Sequence, residues 1–306
     1  MCGDYRPINK RTKSDRYAMP TPEEIFEIVG HSKVFSTLDL RSRYHQLPVR
    51  MEDKHKTAFW GIDKFGKNRL YQWRFLPFGL KNAPTKFQKV MDRVLAGLPF
   101  VKCYIDDILT FSENIKEHQK HLTMVLNRLM EHGLKLHPSK CTFFYPQVEY
   151  LGHMIYPGGL GVLKSKVEAL ASIPRPKDVS RLRAFLGLAN YYRKFVANFS
   201  RMAKPLTILT RSDEEWMWGD EQEAAFVELK AKLASAPILR RPILGRLYQL
   251  HTHWSTLDIG VVLTQMDDEG KEFVVAYASR SNNNAEAQYS SYEEECLAAV
   301  WAIAHF

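Results

Sequence analysis

The sequence predicts an α+β fold, and three observations carry that prediction. Lys33-Val34-Phe35-Ser36-Thr37-Leu38 alternates as a strand does; Phe87, Val90, Met91, Val94 and Leu95 recur at helical spacing; and two β-prone runs flank the acidic pair Asp106-Asp107. Thr21-Pro22-Glu23-Glu24 marks a helix start, with a hydroxyl N-cap, proline at N1 and glutamate at N3, and that helix is expected to reach about Gly30. Strands are expected near 33–39, 44–49 and 70–75, a helix from about Ala83 to Ala96, and another from about Asn114 to His132. Strand, helix, hairpin and helix then share one sheet. Gly158-Gly159-Leu160-Gly161 and Pro174-Arg175-Pro176 punctuate the chain, and helices are expected at about 164–172, 178–198 and 221–234. Pro237–Pro242 reads as a linker, Tyr248–Gln265 and Glu272–Ala278 as strands, and Tyr292–His305 as a helix.

The chain has 306 residues, 45% of them hydrophobic, enough for a real core and two or more domains. A formal charge of +9, with the cations scattered along the chain, points to an anionic partner, nucleic acid first among them. Cys2, Cys103, Cys141 and Cys296 form no Cys-x-x-Cys pair, which argues against a zinc module or disulfide framework and suits a reducing intracellular compartment. His118 and His121 have a metal-like spacing, but Glu117–Leu122 reads as the polar face of a helix. No run approaches the roughly 20 apolar residues of a membrane span, and Met1-Cys2-Gly3-Asp4 lacks a signal-peptide core.

Tyr104-Ile105-Asp106-Asp107-Ile108 places two adjacent carboxylates at the tip of a hairpin. Like charges so placed are costly unless a cation pairs with them. Hard carboxylate oxygens suit magnesium, which takes its remaining ligands from water and substrate phosphate. Asp39 ends the predicted strand 33–39, so two neighbouring strands would bring Asp39, Asp106 and Asp107 to one pair of metals about 3.5–4 Å apart. Asp267-Asp268, followed by Glu269-Gly270, reads instead as a plain solvated turn.

Further motifs accompany these acids: Asp4-Tyr5-Arg6-Pro7-Ile8-Asn9-Lys10, Phe35–Leu40 with Tyr44-His45-Gln46, Phe75–Pro84, Val148–His153 and Leu182–Arg193. In this order, over nearly the whole chain, they resemble the reverse transcriptase region of gypsy-type long-terminal-repeat retrotransposon Pol polyproteins, followed by the start of an RNase H domain. The resemblance implies a right-hand polymerase: partial fingers and palm at 1–156, a thumb-like region at 157–204, a connection at 205–242, and a truncated RNase H-like α/β domain at 243–306. It implies an RNA-directed DNA polymerase using two Mg ions, Mn being possible. Its partners would be RNA/DNA template-primer and deoxynucleoside triphosphates, in the cytoplasm within a virus-like particle. The alternative is a degenerate remnant that binds nucleic acid without catalysis. Oligomeric state is left open.

In that family Asp39 and Asp106 would be the firmer metal ligands and Asp107 more peripheral. Tyr44 looks like the gate against ribose 2′-hydroxyls, with a core strand aromatic as its plain alternative. Arg43, Phe78 and Gly79 would line the nucleotide pocket, and Val148–His153 resembles the primer grip. Lys64, Lys67, Arg69, Arg181, Arg183, Arg193 and Lys194 are candidate phosphate contacts or ordinary solvated charges. The chain departs from the family at Arg43, where Ser-Gly-Tyr is usual, and at His253, where the first RNase H aspartate is expected. Glu295 matches the RNase H glutamate. With His253 a poor magnesium ligand, no RNA hydrolysis is expected, and the missing upstream fingers residues are expected to weaken nucleotide affinity.

Overall fold

The computed structural model describes residues 3–306, which form two compact units, one running to Leu151 and one spanning Gly152–Phe306. Cys2 lies outside the described residues, and Cys103, Cys141 and Cys296 are free thiols.

The first unit opens with α1 (Arg6–Arg11) and α2 (Pro22–Val29), followed by β1 (Val34–Asp39), the hairpin β2 (Phe59–Ile62) and β3 (Asn68–Tyr71), and α3 (Ala83–Val94). Next come β4 (Val101–Tyr104), β5 (Asp107–Ser112), α4 (Ile115–Glu131), β6 (Thr142–Tyr145) and β7 (Val148–Tyr150). α2 begins at the expected capping box: Thr21 Oγ1 accepts from Glu24 N, and the Glu24 carboxylate accepts from Thr21 N. The sheet runs β4-β5-β1-β6. Phe87 and Met91 of α3 and Leu122, Val125 and Leu129 of α4 share one buried cluster with Leu38, Val101 and Ile108 of the sheet. Each such side chain contributes about 1.5–3 kcal/mol on burial, which fixes the helices over the strands that carry the acids.

Two strand expectations need correction in this unit. Residues 44–49 are no strand: Ser42 and Arg43 take left-handed backbone conformations, and a 3₁₀ turn follows over Arg43–Gln46. Tyr44 and Leu47 thereby pack on the core cluster. The strand expected at 70–75 lies earlier, pairing Phe59–Ile62 with Asn68–Tyr71, because Trp73 N already donates to Thr57 Oγ1.

The second unit contains β8 (His153–Tyr156), β9 (Gly159–Val162), α5 (Lys164–Ser172), α6 (Val179–Tyr191), α7 (Phe199–Ile208) and α8 (Asp220–Ala234). It ends with β10 (Leu239–Arg240), β11 (Gln249–Trp254), β12 (Asp258–Met266), β13 (Glu272–Ser281) and α9 (Ser291–His305). The helix expected at 178–198 stops at Tyr191, since the chain turns to bury Tyr192, Phe195 and Val196, and Asn198 at φ 54° starts α7 in a new direction. Pro205 sits inside α7 and hid that helix from the sequence. Pro237–Pro242, read as a linker, carries β10, whose Leu239 pairs with Leu160. A Cβ on Gly159 would meet the Ile238 side chain at 2.9 Å, so a larger residue there would push that side chain aside. The strand structure expected over 248–265 is β11 and β12, joined at a turn where Ser255 Oγ donates to the buried Asp258 carboxylate. Asp267 Oδ1 accepts from Glu269 N and Lys271 N, the plain turn that was expected. No helix among the described residues is long and apolar enough to cross a membrane.

His118, expected on a polar face, is buried beneath the first unit's sheet. Ser36 Oγ lies 2.7 Å from its Nε2 and Ser112 Oγ 2.8 Å from its Nδ1, so both ring nitrogens find hydroxyl partners. Burial pushes its pKa down from 6.5 to about 4, with His121 adding to the effect. The fold therefore favours the neutral ring, and its contribution is complete above 6.5 and is lost as pH falls toward about 4. The unfolding midpoint is expected to fall across that window, and His118→Gln is expected to flatten the fall. A variant that loses stability as steeply as the wild type would contradict this account.

Candidate functional site

Asp39 is the last residue of β1 and Asp107 the first of β5, and the two are direct partners across the antiparallel pair. Opposed residues put their side chains on one face, about 4.5–5.5 Å apart at Cβ. Asp106 occupies the two-residue turn Ile105-Asp106, closed by the Tyr104–Asp107 pair. Ligand atoms of Asp39, Asp106 and Asp107 all lie within 4.8 Å of one another, the one cluster of three or more potential metal ligands among the described residues.

Burial first, and Asp107 second, push the Asp106 carboxyl up to about 6. Burial and Asp39 likewise raise Asp107, against the opposing pull of Arg43 and Lys140. Arg43 Nε sits 2.5 Å from Asp106 Oδ2, and Lys140 Nζ 3.8 Å from Asp39 Oδ2. The Arg43 contact is ionic without hydrogen-bond alignment, because Asp106 Oδ2 is buried and has no hydrogen-bond partner. Clustered carboxylates with an orphaned oxygen fit a divalent cation.

The hairpin tip is held from below by a residue that the sequence reading passed over. Gln88 of α3 is buried; its Oε1 accepts from Ile105 N at 2.6 Å, and its Nε2 donates to Cys103 O at 2.9 Å and Asp92 Oδ1 at 2.8 Å. Ile105 has φ 57°, a strained setting for a β-branched residue that costs about 1–3 kcal/mol unless surroundings impose it. Gln88 imposes it. The legible signal was a polar residue three before Met91 and seven before Leu95, on the apolar stripe of the helix. From the other side, Tyr150 Oη donates to the Asp107 carbonyl at 2.9 Å, which sets β7, the start of the Val148–His153 motif, against the acids.

Tyr44 is half-buried beside the acids, its ring 5.2 Å from Phe78 and 5.5 Å from Phe87. Burial raises its pKa, with the Asp106 charge adding to the effect. Gly79 has φ 92° and faces Tyr5, where a Cβ would come within 3.2 Å of the ring. Asn9 Nδ2 donates to Gly79 O at 2.7 Å and Asn9 Oδ1 accepts from Lys81 N at 2.8 Å, so two distant motifs are clamped together by one side chain. This clamp holds the wall formed by Phe78 and Gly79.

Residues 1–155 match the family model described as reverse transcriptase (RNA-dependent DNA polymerase). The chain belongs to the reverse transcriptase family. Residues 218–306 match the RNase H-like domain found in reverse transcriptase. The chain is 38% identical, over 316 aligned residues, to the retrovirus-related Pol polyprotein from transposon opus of Drosophila melanogaster, covering 99% of this chain and 31% of that protein. It is 33% identical to the transposon Tf2-3 polyprotein of Schizosaccharomyces pombe, over 100% of this chain and 23% of that one. The chain thus spans under a third of these curated relatives. A solved foamy viral protease-reverse transcriptase in complex with double-stranded DNA matches with a TM-score of 0.88 at 26% identity, over 99% of this chain and 52% of that one. The complex of the foamy viral enzyme with an RNA/DNA hybrid matches with a TM-score of 0.82, again at 26% identity, over 99% and 40%.

The remaining positions of interest in this reverse transcriptase chain fall in three places. Lys64, Lys67 and Arg69 are exposed on the β2–β3 hairpin, Arg69 being paired with Asp63 at 3.1 Å. In the second unit Arg183 donates to the Thr210 carbonyl at 2.7 Å, half-buried Arg193 donates to the Ser279 carbonyl, Lys194 lies over the Phe195 ring, and exposed Arg181 is 3.6 Å from Asp178. Arg183 and Arg193 therefore tie the fold together. His253 is exposed on β11 opposite Gly260, and Glu295 is exposed on α9.

Two measurements probe the acidic hairpin. Since Asp106 has a raised pKa, its ionisation costs stability as pH rises from 3.8 through about 6, and the cost is absent below 3.8. Asp106→Asn is expected to raise the unfolding midpoint at neutral pH in chelator by about 2 °C or more, with no gain in acid. Gln88→Leu leaves the Ile105 amide and the Cys103 carbonyl without their partner and is expected to cost about 1–3 kcal/mol, read from denaturant midpoints. An unchanged midpoint would remove Gln88 from its role as the support of the turn.

Proposed function

We propose that this chain is the RNA-directed DNA polymerase region of a retrotransposon Pol polyprotein, extending a primer 3′-hydroxyl with deoxynucleotides along an RNA or DNA template. The observation that carries this reading is the convergence of Asp39, Asp106 and Asp107 beside Tyr44 in a reverse transcriptase chain. The solved relatives hold double-stranded DNA or an RNA/DNA hybrid, which supports nucleic acid as the partner, as does the formal charge of +9. In this reading the domain plan is that of the family: fingers and palm, a thumb-like region at 157–204, a connection at 205–242, and an RNase H-like part.

Asp39 and Asp106 would hold two magnesium ions, manganese being an alternative, with Asp107 more peripheral. Such ions, when bound, lower the pKa of the primer hydroxyl and stabilise the departing pyrophosphate. The primer oxygen gives up its proton and bonds to the α-phosphorus as the bond to pyrophosphate breaks, so no side-chain nucleophile is needed. Tyr44, propped by Phe78 and Phe87, would meet the sugar where a 2′-hydroxyl projects. Gly79, without a Cβ, would let the backbone come close to the nucleotide. Val148–Tyr150 would set the primer end beside Asp107, whose backbone carbonyl accepts from Tyr150 Oη.

A second reading, nucleic-acid binding without catalysis, draws on the Arg43 contact with Asp106. Primer extension on an RNA template with magnesium and deoxynucleotides separates the two. Asp39→Asn and Asp106→Asn are each expected to cut incorporation about 100-fold or more with primer-template affinity kept. Tyr44→Ala is expected to admit ribonucleotides. Full incorporation by either aspartate variant would refute the polymerase site.

A further inference from the structure

We propose that Arg43 is an internal cation that competes with the divalent metal for Asp106, so that metal enters this site only as the guanidinium leaves. The inference rests on the metal-centre reading above. Arg43 Nε lies 2.5 Å from Asp106 Oδ2, a buried oxygen of the acidic cluster that has no hydrogen-bond partner. A guanidinium and a metal at contact distance from one carboxylate oxygen repel each other, so each weakens the hold of the other.

The two partners are unequally exposed, and that gives the exchange its direction. The Asp106 side chain is 6% exposed and the Arg43 side chain 49%. Arg43 can swing into solvent and be hydrated, whereas Asp106 has to be neutralised where it stands. Lys140 makes a useful contrast: at 3.8 Å from Asp39 and 58% exposed, it is a screened surface contact that a metal need not displace.

The backbone holds Arg43 in place. Ser42 at φ 60° and Arg43 at φ 42° form a left-handed pair immediately before Tyr44, which roots the guanidinium beside the hairpin turn. Glycine at position 43 would satisfy the same backbone without supplying a charge. The arginine therefore partly neutralises the three acids before metal arrives, and the same charge weakens metal binding.

Mn²⁺ alone is the probe, titrated into the full 306-residue chain at neutral pH and low salt, with the free ion followed by its paramagnetic resonance signal. R43G and R43Q are each expected to bind Mn²⁺ about tenfold more tightly than the wild type, the scale of removing one partly exposed like charge from beside the metal. Adding D106N to R43G is expected to abolish that gain. Equal affinity in the wild type, R43G and R43Q overturns the inference and leaves the metal centre standing. A gain in R43G without one in R43Q assigns the effect to the backbone and also overturns it. Absence of Mn²⁺ binding by all of them overturns the metal-centre reading, and this inference with it.

Discussion

Mutual repulsion of Asp39, Asp106 and Asp107 is the constraint around which the first unit is organised. Three carboxylates whose ligand atoms fall within 4.8 Å resist being brought together, and one of them is buried. What holds them is the direct opposition of Asp39 and Asp107 in the β1–β5 pair, anchored by the apolar side chains that α3 and α4 press onto the sheet. Hydrophobic burial, which is non-directional, thus enforces an electrostatic arrangement that would not form by itself.

The local backbone bears part of the same load. Ser42, Arg43 and Ile105 all take positive φ, and all three flank the acids. Such conformations persist only where neighbours over-determine them. Here Gln88 holds the Ile105 amide from inside, and the Asp106 charge draws Arg43 from outside. A site that strains both backbone and charge is poised for a cation, and its cost appears in the raised pKa values of Asp106 and Asp107.

Much of the fold was legible because its elements carry strong local signals. The capping box at Thr21, the apolar stripe of α3 and the alternation of β1 each act within a few residues, so pattern alone located them. Errors arose where a distant group replaced the local partner. Tyr44 lies in a 3₁₀ turn because its ring is claimed by the core, Trp73 leaves the ladder for the Thr57 hydroxyl, and α6 ends where Tyr192 turns inward. His118 looked solvated because the hydroxyls that satisfy it come from β1 and the end of β5.

By itself the sequence determined the α+β class, the family and the identity of the three acids, because these depend on residue type, order and short-range spacing. The tertiary structure decided which groups stand beside the acids: Gln88 beneath the turn, Tyr150 on the Asp107 carbonyl, and Arg43 against Asp106. Those partners lie 17, 43 and 63 residues from the groups they touch, and Arg43 is also positioned by rare backbone angles. Distances of that kind are set by packing, which no local pattern encodes.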